Sequence, residues 1–393
     1  MSVRITSGTT NRTYLKNLNG SQYAMNQAME RVESGRDFQK VSENVQQGTR
    51  AISVRSRLYR NEQMTDNVNT SMEQLNMAET CLKQMNDICS NVQSEMFKCL
   101  NTPTLEAGKE AFLSFLDGAK DEIQRLANTK YNNKYVMGGV GVESNPFKPD
   151  ENGYMNYSWG TGAGEGIKMN EMLSSAQIID KININGSVSS GKSVATVRAE
   201  VENYYDADGN SLKYTGDSYI DVGLDMNVAS NGKVAQKTAF RVTVDGINVL
   251  GYGKTEVSYD DIRGIQAQAG ATGSGSGNSE IVSNNIYDMM TDMQDAIRNS
   301  DIDKLSAIMH NFQKKTEDII SAESEIGVRT KFLETNLDRL EAENTSLKKM
   351  QKDIEGVDDA TEITNFLGYQ NAWNLVLQFG KNIVPKSLMD YVN

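Results

Sequence analysis

The chain has 393 residues, 40 Lys and Arg against 52 Asp and Glu for a formal charge of −12, and a mean hydropathy of −0.53. That length exceeds one ordinary compact domain, and the acidic balance excludes a nucleic-acid backbone or an anionic membrane surface as the main partner. One histidine, His310, and three cysteines, Cys81, Cys89 and Cys99, supply little of the usual equipment for acid–base, nucleophilic or metal chemistry. His310 reads as a surface position on a helix. The cysteines lie in one helical stretch, about 12 and 15 Å apart by helix rise, beyond disulfide reach and without a zinc pattern, so they read as small buried hydrophobes. No catalytic, cofactor-binding or metal-binding residue is therefore expected, and the chain does not read as an enzyme.

At the amino terminus no apolar signal segment is visible, and no apolar run approaches a membrane span, which taken alone reads as cytoplasmic. Leu15, Leu18, Gln22, Met25, Met29 and Val32 step by three and four, predicting an amphipathic helix that breaks at Glu33-Ser-Gly-Arg-Asp37. From Leu75 the same stepping runs through Ala78, Leu82, Met85, Cys89, Val92, Met96 and Cys99, an apolar stripe about 37 Å long that stops before Pro103. Phe112, Phe115, Leu116, Ala119, Ile123 and Leu126 mark one face of a further helix. Composition then changes: from about Gly138 to Asn278 Gly, Ser and Asn dominate and alternation replaces the heptads. Phe240, Val242 and Val244 are expected on one face of a strand, with Arg241, Thr243 and Asp245 on the other. Val194–Val201 and Tyr219–Leu224 read as further strands, and Gly270–Ser279 as a flexible connector.

Within this middle region Asp206, Asp208, Asn210 and Asp217 have the spacing of a calcium loop. The glycine is misplaced and Asp stands where a bidentate Glu is usual, so Asp208-Gly209 reads instead as a hairpin turn. The helical period returns in Val282, Ile286, Met289, Met293 and Ile297, with a break at Asn299-Ser-Asp301. It continues through Leu305, Ile308, Phe312, Ile319, Ala322, Ile326, Leu333, Leu337, Leu340, Leu347 and Ile354. After a break at Gly356-Val-Asp-Asp359, Ile363, Phe366, Gln370, Trp373 and Leu377 form a last stripe. Stripes of this kind on isolated helices mark partner surfaces. The two ends are thus expected to pair with each other and with neighbouring subunits through Leu15, Leu18, Met25, Met29, Val32, Ile363, Phe366, Trp373 and Leu377.

The expected fold is α+β: a long antiparallel α-helical coiled-coil bundle formed by both chain ends, with an inserted β-rich domain. Its parts are an amino-terminal assembly helix (1–44), two halves of a helical rod (45–137 and 280–356), the β-rich insertion (138–279) and a carboxyl-terminal assembly helix (357–393).

Arg4-Ile-Thr6, Leu18-Asn19 and Arg31-Val-Glu-Ser-Gly-Arg36 together resemble the opening of flagellins and flagellar hook-associated proteins. That family usually has Leu-Ser-Ser-Gly at Val32–Gly35 and Ser-Asp-Asp-Pro at Ser42–Val45. Ala127-Asn-Thr, Tyr131, Tyr135 and Gly138-Gly139 match further landmarks. Asn145-Pro-Phe147, with Asn152-Gly-Tyr154, Tyr157 and Gly160, resembles the hairpin that opens the family's β domain. The closing Lys386–Asn393 is more similar to the junction members of the family than to flagellin itself. The resemblance spans both ends and leaves the middle unmatched. It implies a structural subunit that forms a homo-oligomeric ring, with an adjacent hook-associated protein on the hook side and flagellin on the filament side. It also implies an export chaperone on the carboxyl-terminal helix, and neither nucleic acid nor membrane as partner. The location implied is the extracellular flagellum, reached through the flagellar type III export channel without a cleaved signal peptide. Flagellin, the filament subunit, remains the nearest alternative. A coiled-coil scaffold would account for the heptads but not for a β module inserted between paired ends.

Overall fold

In the computed structural model the described residues are 7–101, 105–139, 144–158, 166–185, 204–206, 211–212, 218–223, 240–269 and 279–383. The chain divides into two compact units, Met1–Gln63 with Arg339–Asn393, and Met64–Asp338. Two long helices, α2 (Val45–Asn101) and α8 (Ile302–Glu355), supply residues to both.

The first unit holds α1 (Ser7–Ser34), the start of α2, the end of α8 and α9 (Asp359–Ile383). Here α2 and α8 run antiparallel, tied by Arg55 to Glu355 at 2.6 Å, Arg57 to Glu343 at 3.5 Å and Lys348 to Glu62 at 4.0 Å. Helix α1 ends because Gly35 adopts φ 64° and returns its N–H to Arg31 O at 2.9 Å, a left-handed cap that suits glycine. Helix α2 begins because Asn44 Oδ1 accepts the Gln47 N–H at 3.1 Å. Asn44 as cap and Val45 as first helical residue thus do the work of the family's usual proline, which is favoured at a first helical position. Glu43 accepts the N–H groups of Gln39 and Lys40, which hold its carboxyl below the ordinary carboxylate range.

The second unit contains the fully closed heptad seam. Leu75, Ala78, Leu82, Met85, Cys89, Val92 and Met96 of α2 are all buried, and so are Leu305, Ile308, Phe312, Ile319, Ile326 and Leu333 of α8. The two helices are antiparallel here too, with Gln93 Nε2 donating to Thr316 Oγ1 at 2.8 Å. Helix α3 (Leu105–Ala127) buries Phe112, Leu116, Ala119, Ile123 and Leu126 and leaves Phe115 exposed. Burial pushes the Cys89 thiol up to about 12, as expected of an inert core hydrophobe. A tight hairpin follows: β1 (Lys130–Tyr131) and β2 (Lys134–Tyr135) joined by Asn132 and Asn133 at φ 47° and 62°, a conformation that Asn tolerates.

The middle of the chain carries small antiparallel sheets. Strands β3 (Phe147–Pro149), β4 (Met155–Ser158) and β5 (Gly166–Lys168) form one, and α4 (Ser175–Asn185) follows. Then come β6 (Tyr204–Tyr205) with β7 (Ser211–Leu212), β8 (Tyr219–Ile220) with β9 (Phe240–Arg241), and α5 (Gly246–Leu250). Strand β10 (Lys254–Ser258) pairs with β11 (Ser279–Ser283) across α6 (Tyr259–Ala269). Helix α7 (Ile286–Asn299) leads back to the long helices. The fold is thus the expected one, long helices from both chain ends with small sheets between.

Some details differ from expectation. Val282 lies in β11 rather than on a helix, because Asn285 caps α7 by accepting from the N–H groups of Tyr287 and Asp288. Past Arg241 the strand stops, and Thr243 is buried beside Val242 and Val244; its Oγ1 accepts the Ser218 N–H and its carbonyl accepts from Arg329. Helices α4, α5 and α6 lie within the region that read as β-rich. Tyr204 and Tyr205 pair antiparallel with Leu212 and Ser211, while Asp208-Gly209 itself, the strand 194–201 and the connector 270–278 lie outside the described residues. The break at Asn299–Asp301 is real: Ser300 adopts φ 55° and caps α7.

Candidate assembly interface

Helices α1 and α9 pair antiparallel. Three anchors fix the register: Arg36 bridges Gly356, Arg31 meets Glu362 at 3.4 Å, and Gly380 lies directly against Tyr14. A Cβ on Gly380 would come within 2.6 Å of Tyr14 Cζ, so the ring needs glycine opposite it. Carried in steps of seven from that approach, the register sets Ser21 opposite Trp373 and Ala28 opposite Phe366. On that register a small residue is expected opposite each ring, as Gly380 is found opposite Tyr14.

The seam so formed is incomplete. Ala28 and Glu362 are buried; Leu18, Met25, Val32, Phe366 and Trp373 are half-buried. The remaining candidates point outward: Leu15 is 55 % and Met29 54 % exposed, and Ile363 and Leu377 are exposed as well. Leu367, Leu375 and Phe379 add further uncovered apolar surface to α9, with Phe379 60 % exposed. The last helix is thus apolar on more than the face its partner covers. A helix of that kind belongs in a buried setting. Trp373 Nε1 is shielded from solvent and has no hydrogen-bond partner among the described residues, whereas a buried indole N–H ordinarily finds one.

The joint between the paired helices and the rod is polar. Asp37 N–H donates to Glu355 O at 2.8 Å and Val357 N–H to Gly35 O at 3.2 Å. Arg55 grips the Glu355 carboxylate through Nε at 2.7 Å and Nη2 at 2.6 Å, and Arg36 stands 3.9 Å away. Burial of Glu355 favours its neutral form, but the Arg55 hydrogen bonds outweigh it and hold the carboxyl below its ordinary value.

Sequence reasoning missed Tyr14, Ser21, Ala28, Gly380 and the two buried glutamates. Apolar stepping selects large side chains, and the small half of each pair carries no hydropathy signal. Glu355 and Glu362 look like solvated positions until their arginines come from the other end of the chain. Among the described residues no cluster of three or more His, Cys, Asp or Glu side chains could hold a metal ion, and no helix is long and apolar enough to cross a membrane. His310 is half-buried on α8.

Solved structures of similar shape include FlgL of Bacillus cereus, 16 % identical, covering 76 % of this chain and 98 % of that one at a TM-score of 0.42. A putative flagellar hook-associated protein of Vibrio parahaemolyticus is 11 % identical, covering 80 % and 100 % at 0.49. Flagellar hook associated protein-3 of Legionella pneumophila is 14 % identical, covering 76 % and 98 % at 0.42. With TM-scores under 0.5 these are likenesses only. No curated protein matches. The family described as the bacterial flagellin N-terminal helical region matches residues 6–141. That segment, which contains α1, α2 and α3, is similar to the bacterial flagellin N-terminal helical region.

Proposed function

We propose that the protein is a structural subunit of the bacterial flagellum, one that forms the junction between hook and filament in the manner of a hook-associated protein 3, and that it is not an enzyme. The match of residues 6–141 to the flagellin N-terminal helical region supports the flagellar role, and the resemblance of the closing residues to junction proteins supports the position. One observation carries the mechanism: the paired end helices leave Leu15, Met29, Ile363, Leu367, Leu375, Leu377 and Phe379 uncovered. Copies arranged in a ring would cover these side chains, and each one fully buried contributes roughly 1.5–3 kcal/mol. In this reading 1–44 and 357–393 are the assembly helices, 45–137 and 280–356 the rod halves, and 138–279 the inserted domain. The partners are other copies, a hook-associated protein on one side and flagellin on the other, with an export chaperone on the last helix before assembly. The location is the cell exterior, reached by flagellar export.

Phe379→Asp and Leu377→Asp test it, because both side chains are exposed in the single chain and should leave its melting unchanged. Cells carrying either substitution are expected to be non-motile and to shed flagellin, with hooks that lack filaments under the electron microscope. Normal swimming with attached filaments would refute the reading. In a deletion strain, bare hooks mark a junction protein, while filaments lost only because their subunit is missing from the medium mark flagellin.

A further inference from the structure

In the second unit three elements meet around one carboxyl group. Asp288, in the first turn of α7, is fully buried. Its Oδ1 accepts the Met155 N–H at 2.6 Å, from the first residue of β4, while Oδ2 has no hydrogen-bond partner among the described residues. The turn between β3 and β4 is held to the same helix twice more. Tyr154 OH donates to Asp292 Oδ1 at 3.1 Å, and Thr291 Oγ1 donates to Gly153 O at 2.7 Å. Helix α3 docks alongside: Lys120 Nζ donates to Gln294 Oε1 at 3.3 Å and lies 5.1 Å over the Tyr287 ring, while Gln294 Nε2 donates to Asp117 Oδ1 at 2.8 Å.

The charges around Asp288 are mostly of its own sign. Asp292 on α7 and Asp150 at the hairpin turn, where Lys168 of β5 meets it at 3.4 Å, act on it directly, while Asp295 of α7 acts on Tyr154 and Asp117 and Asp121 of α3 act on Tyr287 beside it. Lys120 is the nearby cation, and burial lowers its own affinity for a proton. Tyr154 is a neutral donor and Tyr287 a neutral ring under Lys120, both with pKa raised first by burial and then by these carboxylates.

We propose that Asp288 is a proton-operated latch: protonated, it lets the β3–β4 turn dock on α7, and ionised, it loosens that docking. A carboxylate with no access to water, one free oxygen and like charges on the same helix and on the turn is costly to ionise in place. Burial pushes its pKa up to about 7, with Asp292 and Asp150 adding to the rise and the Met155 N–H and Lys120 opposing it. A carboxyl raised in this way stabilises the docked state fully below its ordinary value near 4, loses that contribution as pH rises toward 7, and changes little above. One unit of pH in that window is worth about tenfold in the docking equilibrium, up to roughly 10³-fold over the whole of it.

Amide exchange of Met155 in the full chain, divided by its intrinsic rate at each pH, reads the latch directly. Protection is expected to fall about 50-fold between pH 5 and pH 7, and Asp288→Asn, which keeps the acceptor without the charge, should abolish that dependence. Flat protection in the wild type, or the wild-type slope in Asp288→Asn, would overturn the proposal. Should the variant fail to fold, the carboxyl carbon resonance of Asp288 in the wild type decides alone: titration near pH 7 supports the latch and titration below pH 5 ends it.

Discussion

The terminal helix pair and the seam in the middle of α2 and α8 are written in the same heptad period, yet one closes on itself and the other does not. Between Leu75 and Met96 every stripe position is buried, and α8 answers with Phe312, Ile319 and Ile326. Along α1 none of the stripe residues Leu15, Leu18, Gln22, Met25, Met29 and Val32 is completely buried, though Ala28 beside them is, and α9 keeps Leu375 53 % exposed. Two helices cannot cover more than one stripe of each other; the middle unit adds α3, α7 and the hairpins, whereas among the described residues of the terminal unit no further element covers the outer faces of α1 and α9. Periodicity says that a stripe will be buried. The number of available neighbours says whether one chain suffices.

The two regions also answer to pH in opposite senses. Glu355 is held ionised by Arg55, so its contribution is present at neutral pH and lost as pH falls through its lowered value. Asp288 is favoured neutral, so its region is firmest in acid. Acid should therefore loosen the joint at Gly35–Asp37 while it tightens the β3–β4 turn.

The comparison breaks most readily at Phe312, fully buried on the closed seam. Phe312→Ala is expected to cost about 3–5 kcal/mol in denaturant unfolding, and a loss below about 1 kcal/mol would show that this seam is no better packed than the ends. Next in size is Glu355→Gln, which leaves Arg55 and Arg36 without their carboxylate and should cost about 2 kcal/mol at pH 7. That cost should shrink toward zero as the wild-type carboxyl protonates in acid; an equal loss at pH 7 and pH 3 would mean the ion pair contributes nothing. Gly380→Ala sets two effects against each other: alanine gains about 1 kcal/mol of helix propensity, and displacing the Tyr14 ring costs about 1–3 kcal/mol. Net destabilisation is expected, read as lost amide protection along α1. In a Tyr14→Ala background the same change should become stabilising, and a failure of the sign to reverse would unseat the register. The smallest effect belongs to Leu375→Ser, expected to alter the melting of the single chain by less than about 0.5 kcal/mol while weakening assembly, since the side chain touches little until another copy arrives.

Most of the helical architecture was legible because apolar stepping is a strong local signal and survives without knowledge of partners. The breaks at Gly35 and at Ser300 were legible for the same reason, since glycine and short polar residues end helices by their own chemistry. What could not be read is what depends on the other end of the chain. Val282 carries the helical period and lies in a strand, because Asn285 caps the helix after it and β10 supplies the pairing. Thr243 looks like an outward residue and is buried by the hydrogen bonds of Ser218 and Arg329. Glu355 and Asp288 gave no sign at all, for a charged residue announces its burial only through groups hundreds or dozens of positions away.

The alternation of ring and small residue along α1 and α9 restricts how the two ends can zip together. Displaced by one heptad, Tyr14 would meet Trp373, two rings competing for one space, while Ala28 would face Asp359 across an unfilled gap. Displaced the other way, Gly380 would face Ser21 and leave a hole where a ring belongs. Apolar stripes alone would slide with little penalty, since leucine tolerates leucine at any tooth. Three alternating sizes turn the pair into a lock with one notch, so a chain whose ends are separated by more than three hundred residues closes in a single alignment.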